Sequence, residues 1–154
     1  YLFLCRCIVF PFCFEYEFDF IVLELGLIDY GQCKRLDKSA RRNIAACIVA
    51  VSEGHTDEQV ATAMRNVGFK TKNDNASFYA SFAQLLFGHI QVEMLDPAWH
   101  VALNKKDRIV SFPPEMIMVY RVAALLRGLA LSLQYDISIG DAWCAHAKEA
   151  LLEL

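Results

Sequence analysis

Residues 25–36, which read L-G-L-I-D-Y-G-Q-C-K-R-L, separate two parts of the chain that differ in character. Aliphatic residues lead into the tripeptide Asp29-Tyr30-Gly31. A strand holds its backbone rigid, so an Asp at its end has a fixed position, and the glycine allows a sharp turn. Such a carboxylate suits a hard divalent cation, although an Asp followed two residues later by Gly is also ordinary turn chemistry.

The residues before this stretch favour extended structure. Residues 14–20 alternate between aromatic and acidic side chains, F-E-Y-E-F-D-F, and this period of two predicts a half-buried strand. We expect the acidic face to be solvated rather than to form a metal cluster. A second extended segment, 21–28, runs into Asp29, with a break at Gly26. Residues 1–24 are therefore predicted to be an atypical extended segment.

The residues after Leu36 predict about six helices, because capping residues and prolines recur ahead of apolar stretches. The predicted start signals are Asp37, Thr56 with Gln59, residues 73–75, Asp96-Pro97, Pro113-Pro114, and Ser138 with Asp141. Gly54 and Gly68 are expected to end the first two helices. Residues 104–112 are expected to form a polar loop. The fold class is therefore mainly α, with short β segments at the front.

The third and fifth of these helices lead to expectations about burial. The apolar stripe of the third helix is predicted to be Phe78, Phe82, Leu85, Leu86 and His89. Residues 115–133 are apolar on nearly every face. They contain Arg121 and Arg127, each of which costs roughly 2.5–3.5 kcal/mol at the centre of a membrane. We therefore expect a buried helix there rather than a membrane span.

Composition limits the function classes. The chain has 154 residues, a formal net charge of −3 and 56% hydrophobic residues. A mildly acidic balance does not favour nucleic-acid binding. The hydrophobic surplus indicates a partner surface, provided by more of the chain, by another subunit or by a membrane. The six cysteines include no C-x-x-C pair, so we expect reduced thiols and an intracellular location. The cluster of Cys5, Cys7 and Cys13 fits no zinc-site spacing.

Three stretches in order resemble the UbiB, or aarF-domain, atypical kinases. Residues 25–36 resemble the segment of that family that carries the Asp-Phe-Gly motif of protein kinases. Residues 113–129, P-P-E-M-I-M-V-Y-R-V-A-A-L-L-R-G-L, resemble the helix that follows in the family. Residues 141–152, D-A-W-C-A-H-A-K-E-A-L-L, resemble its closing helix. The resemblance covers residues 25–154 and implies a protein-kinase-like C-terminal lobe fragment.

The resemblance implies a role for Asp29 as the Mg²⁺-binding carboxylate beneath ATP, with Tyr30 packing under it. It also implies phosphoryl transfer or ATP hydrolysis in the intact protein, associated with ubiquinone or other isoprenoid-quinone lipid metabolism in a mitochondrion or plastid. The implied partners are an N-terminal kinase lobe and quinone-pathway proteins or membrane lipid. Lys34 and Arg35 could contact phosphate or an acidic segment, but a solvated basic pair is the commoner arrangement.

The chain departs from the family pattern upstream of Asp29. No string like the family's catalytic loop, approximately D-x-H-P-G-N, is present, and all four histidines follow Asp29. Phosphoryl transfer needs a second metal ligand, a phosphate cradle and a lysine, so we expect no catalysis from this chain alone. The alternative is a non-catalytic, pseudokinase-like helical module that binds protein or lipid through its apolar surface.

For several other residues a functional interpretation competes with a structural one. Arg121 and Arg127 could contact phosphate, but a buried Arg paired with carboxylates or carbonyls between helices is the favoured interpretation. We expect His89 and His146 to be packed or surface residues, because no nucleophile motif accompanies them. Two further groups are expected to be structural: Trp99 and Trp143 as core anchors, and Cys47 and Cys144 on apolar helix faces.

Overall fold

The computed structural model describes residues 35–152, except for the side chain of Val92. The predicted strands over 14–28, together with Asp29, Tyr30 and Lys34, lie outside the described residues. The described part is mainly helical and contains six α-helices and a short two-stranded sheet. The helices are α1 (Lys38–Ser52), α2 (Asp57–Val67), α3 (Ala76–Phe87), α4 (Pro97–Lys106), α5 (Pro114–Ser132) and α6 (Ile139–Leu152), with a 3₁₀ turn at Val92–Leu95.

The helices begin where the capping signals predict. The Asp37 side chain accepts a hydrogen bond from the backbone N–H of Ala40, at 2.7 Å, at the start of α1. Thr56 and Gln59 form a reciprocal capping box on α2. The Ser138 hydroxyl accepts from the backbone N–H of Asp141, at 3.1 Å, in the first turn of α6. These contacts satisfy N–H groups that have no partner within the helix, which is why the signals are readable from sequence.

The core lies where α1 packs against α2 and α6, and where α2 packs against α3. Its fully buried large side chains are Cys47, Ile48, Met64, Phe69, Phe78, Tyr79, Leu86, Phe87, Met116, Val119 and Ile139. The predicted stripe of α3 is partly confirmed: Phe78 and Leu86 are buried, and Phe82 is half-buried. His89 was wrongly assigned to that stripe, because α3 ends at Phe87 and the imidazole is exposed.

A two-stranded antiparallel sheet pairs β1 (Lys70–Thr71) with β2 (Ile109–Ser111). The expectation of a loop throughout 104–112 was therefore wrong. Strands of two and three residues are too short for a period-two pattern. Their pairing depends on a contact between segments that are far apart in sequence. Phe69 packs edge-on against Phe112, with ring centroids 5.0 Å apart, and this contact holds the two segments together.

Asp107 fastens the same region from within. Its carboxylate is 2% exposed and accepts hydrogen bonds from the backbone N–H groups of Asn73 at 3.0 Å and Asn75 at 3.1 Å. It also accepts from the backbone N–H of Arg108 at 2.8 Å. The loop that precedes α3 is thus tied to the segment that follows α4. A buried carboxylate with three N–H donors replaces its hydration with fixed hydrogen bonds.

Candidate interaction surface

The most unusual surface in residues 35–152 is the outer face of α5. Eleven large hydrophobic side chains are exposed among the described residues, and seven of these lie between residues 117 and 135. We call these seven the α5 face: Ile117, Tyr120, Leu125, Leu129 and Leu131 lie on α5, and Leu133 and Tyr135 follow its last residue, Ser132. Their exposed fractions range from 42% at Leu129 to 69% at Leu133. Large apolar side chains exposed in this number along one stretch of chain make it a candidate interaction site.

The α5 face is exposed because α5 packs against α3 and no other described helix packs extensively on it. Only one side of α5 is buried, and the buried residues on that side are Met116, Val119, Ala123, Arg127 and Ala130. The prediction of a buried helix over 115–133 was therefore wrong. Uniformly apolar sequence indicates burial on all sides, whereas the fold covers only one. No helix among residues 35–152 is long and apolar enough to cross a membrane.

Arg127 lies on the buried side of α5, 7% exposed, and its two terminal nitrogens donate to the backbone carbonyls of Leu85 and Gly88. The bond to Gly88 is 2.6 Å long. These carbonyls end α3 and have no partner within that helix, so the guanidinium caps its negative dipole end. Burial lowers the pKa of Arg127 from its ordinary value. The structural interpretation of Arg127 is confirmed, with carbonyls as its partners.

Arg121 is exposed on the outer side of the same helix. The expectation that it would lock helices together from a buried position was therefore wrong for Arg121. Arg127 follows Arg121 by six residues, which turns the two side chains about 120° apart around an α-helix because each residue advances the helix by about 100°. Arg121 provides positive charge on the solvent side of α5, within the α5 face.

A polar cluster lies near the C-terminal end of the α5 face. The ring nitrogens of His89 are 3.0 Å from an Asp136 carboxylate oxygen and 3.5 Å from an Asp141 one. The Ser52 hydroxyl donates to Asp141 at 2.7 Å, and this hydrogen bond lowers the pKa of that carboxyl. The cluster joins α1, the residue after Gly88, the turn between α5 and α6, and α6 itself. No serine or cysteine contacts His89 in the described residues, so the arrangement is not a nucleophile–base pair.

A second surface group joins α1 to α6. Lys148 lies 2.7 Å from one carboxylate oxygen of Glu53, and His55 lies 3.1 Å from the other. The hydrogen bond from Lys148, and then that from His55, lowers the pKa of Glu53. All three side chains are substantially exposed, so solvent screens these pairs and they contribute little to stability.

The remaining candidates occupy structural positions. Trp143 is buried as predicted, whereas Trp99 is half-buried and packs edge-on against His100. His146 is exposed, as expected of a surface residue. Cys47 is fully buried, and burial raises the pKa of its thiol to about 12, so it behaves as a small hydrophobe. Arg35 is exposed at the start of the described residues.

No metal centre is formed by the part of the chain that the structure describes. Residues 35–152 contain no group of three or more His, Cys, Asp or Glu side chains arranged to hold a metal ion. The single predicted metal ligand, Asp29, lies outside them.

Comparison with known proteins gave no relatives. No family model, no curated protein and no solved structure matches this chain. The α5 face is thus identified from its geometry alone. Sequence reasoning pointed to an apolar surplus without placing it, because the hydropathy of residues 115–133 does not distinguish an inner from an outer side.

Proposed function

We propose that this chain is the helical C-terminal lobe of a protein-kinase-like protein of the UbiB or aarF-domain type. The intact protein then uses Mg²⁺ and ATP for phosphoryl transfer or ATP hydrolysis in quinone-lipid metabolism, in a mitochondrion or plastid. Asp29 is the Mg²⁺ ligand in this proposal. The nucleotide-binding lobe and the catalytic loop come from outside residues 1–154.

The observation that supports this proposal is the order of the three similar stretches along the sequence, two of which fall on described helices. Asp29-Tyr30-Gly31 comes before α1 in the sequence. The second stretch, 113–129, covers most of α5, and the third, 141–152, lies within α6. The second and third stretches thus each fall on a single helix.

The proposal predicts that Asp29→Asn removes stabilisation by Mg²⁺ and ATP. With ligand at a hundredfold excess over its Kd, the full-length protein gains about 2.7 kcal/mol, which raises Tm by roughly 5–10 °C. The Asp29→Asn variant is expected to lose this increase, because an amide is a poorer ligand than a carboxylate for a hard cation. The measurement is thermal unfolding with and without Mg²⁺-ATP.

The matched control is Asp37→Asn. Asp37 caps α1 from a position eight residues after Asp29, and asparagine is an equally good N-cap, so this variant should keep the ligand-induced shift. If Asp29→Asn and the wild type respond equally to Mg²⁺-ATP, Asp29 is not a metal ligand and the kinase-like assignment fails.

A second function, a non-catalytic helical module that binds protein or lipid, is favoured by the α5 face. Leu125 and Leu129 lie one turn apart in the middle of this face and are 57% and 42% exposed. Apolar side chains held in a rigid helix bind a partner with little loss of conformational freedom. This function needs no residue that the chain lacks.

The module predicts that the double variant Leu125→Gln with Leu129→Gln binds a phenyl-substituted matrix more weakly than the wild type at high dilution. Leu152→Gln is the matched control, because Leu152 is 88% exposed on a different helix. The unfolding free energies should agree within about 0.5 kcal/mol, since all three leucines face solvent. Unchanged retention of the double variant would contradict a docking role for the α5 face.

A further inference from the structure

We propose that the outer edge of strand β2 binds an extended acidic segment of another protein, which adds a third strand to the β1–β2 sheet. This inference goes beyond both proposed functions, because it uses neither Asp29 nor the α5 face. It rests on an open sheet edge and on a concentration of positive charge around that edge. We call this surface the basic edge; it consists of β2 together with Lys70, Lys72, Lys105, Lys106 and Arg108.

Strand β2 has one open side. Its other side pairs with β1, and these are the two strands of the sheet in residues 35–152. The far side of β1 is closed by Tyr79, whose hydroxyl accepts from the Thr71 N–H at 3.2 Å and donates to the Phe69 carbonyl at 3.4 Å. No described segment hydrogen-bonds to the outward backbone groups of β2. An edge strand of this kind is a template for pairing with another extended chain.

Three of the cations lie on the outer face of the sheet. Successive side chains of a strand point to opposite faces, so Lys70 and Lys72 share one face and Thr71 takes the other. Both lysines are exposed, whereas Thr71 is half-buried. The backbone N–H of Lys72 donates to the Arg108 carbonyl at 3.0 Å, so the exposed Arg108 lies beside the lysines. Two residues after Arg108, Val110 is 64% exposed.

The other two cations, Lys105 and Lys106, end α4 just before Arg108, and both are exposed. None of the five cations of the basic edge forms an ion pair with another described residue. An incoming carboxylate therefore does not have to displace an internal partner before it pairs with them.

Acidic residues do not neutralise this surface. Segments 70–74 and 104–111 contain five basic residues and two acidic ones, whereas the whole chain has a formal net charge of −3. Of the two acidic residues, Asp107 is buried on backbone N–H groups, and Asp74 lies 2.8 Å from Arg65. The basic edge is thus a local positive surface on an acidic protein, and it attracts an acidic partner.

An extended acidic segment satisfies both features of the basic edge. Its backbone pairs with the open side of β2, and its alternate side chains place carboxylates on the outer face of the sheet. Arg108 is adjacent to the added strand. Lys70 and Lys72 lie one strand further away, about 4.8 Å, a distance that their four-carbon side chains can bridge. Val110 provides an apolar contact for a neighbouring side chain of the partner.

The same features disfavour other occupants. Lysines beside an edge strand oppose pairing with a like edge, so two copies of this chain repel each other here. The apolar region of a lipid surface has no partner for the open backbone groups of β2. A nucleic acid offers phosphates to the cations but no peptide backbone to continue the sheet. An acidic peptide meets both requirements.

Fluorescence anisotropy tests the proposal with the full 154-residue chain and a labelled peptide in which Glu and Val alternate. Binding is expected to be saturable and to weaken at high salt, because exposed charges are screened. A peptide of the same composition with Glu and Val in separate blocks should bind at least about tenfold more weakly, since alternation alone places the carboxylates on one face of a strand. Equal binding of the two peptides overturns the added strand.

Charge reversal tests the position of the site. Lys72→Glu with Arg108→Glu should weaken binding of the alternating peptide at least about tenfold, because acidic groups then face each other. The matched control is Lys38→Glu with Arg42→Glu, which changes the net charge equally on α1 and should stay within about threefold of wild type. All four side chains are exposed, so both double variants should keep the wild-type unfolding midpoint in denaturant. Equal losses in the two variants overturn the site.

Hydrogen exchange separates strand addition from the attraction of charges alone. The amide protons on the open side of β2 should exchange more slowly when the alternating peptide is bound, because the added strand hydrogen-bonds to them. Binding without slower exchange overturns the proposal, as does a chain that does not bind the peptide. Binding of phosphatidylserine–phosphatidylcholine vesicles or of single-stranded RNA in place of the peptide rejects the acidic-protein partner. None of these results changes the expected effect of Asp29→Asn, so this proposal and the kinase-like assignment fail separately.

Discussion

Replacement of Asp107 with asparagine is expected to lower the free energy of unfolding by about 3 kcal/mol, a large effect for so conservative a change. The carboxylate accepts from three backbone N–H groups that lie on both sides of the β1–β2 pair. Asparagine has the same shape, but its NH₂ group would face one of these donors and leave it unpaired. Chemical denaturation monitored by circular dichroism measures the difference.

The same carboxylate makes stability depend on pH in a defined direction. Burial disfavours the ionised form of Asp107 and so raises its pKa. The opposite effect, which comes from the nearby Thr71 hydroxyl and the N–H groups of Asn75, Arg108 and Asn73, is larger. The pKa is therefore lowered from 3.8 to about 2. Because the pKa is lower in the folded protein than in the unfolded chain, ionised Asp107 stabilises the fold at pH values above the unfolded-state pKa. This contribution is lost as the pH falls through the folded-state pKa. The displacement corresponds to about 2.5 kcal/mol.

The wild-type unfolding free energy is therefore expected to fall between pH 4 and pH 2 by about 1.8 kcal/mol more than that of Asp107→Asn. Glu93→Gln provides the control, because Glu93 is exposed on the 3₁₀ turn and its loss of charge should leave the acid profile unchanged. Parallel acid profiles for the wild type and Asp107→Asn would show that Asp107 is not held ionised by its N–H donors.

Replacement of Arg127 with alanine is expected to cost about 3 kcal/mol of unfolding free energy. Two causes combine: the carbonyls that end α3 lose their donors, and a cavity opens between α3 and α5. Arg127→Met keeps most of the volume and removes the cost of burying a charge. It should therefore cost about half as much as Arg127→Ala.

The control for Arg127 is Arg42→Ala, since Arg42 is exposed on α1, and a change within about 0.5 kcal/mol is expected there. Hydrogen exchange gives a second readout. The amide protons at the C-terminal end of α3 should exchange faster in Arg127→Ala and in Arg127→Met, because both variants leave the Leu85 and Gly88 carbonyls uncapped. Wild-type stability of Arg127→Ala would contradict the capping role.

The helices were predictable because their boundaries are set by neighbours in sequence. The Asp37 side chain accepts a hydrogen bond from the backbone N–H three residues later, and Thr56 and Gln59, also three residues apart, exchange hydrogen bonds. Gly68 ends α2 with a φ of +110°, a conformation that favours glycine. The buried Arg127 was also predictable in kind, because a cation inside an apolar run needs polar partners wherever it is buried. Its particular partners were not.

Only the tertiary structure decided the features that join distant segments. Asp107 accepts hydrogen bonds from N–H groups 32 and 34 residues away in sequence. Strand β1 pairs with β2, which lies about forty residues later. Neither contact is predicted by a local sequence pattern. The same holds for the outer face of α5. Its sequence determined that it is an apolar helix, but which side is covered depends on where α3 lies. A helix whose sequence is apolar on every side has no polar side that would identify its solvent-exposed surface. Only the packing therefore decided that those seven side chains are exposed.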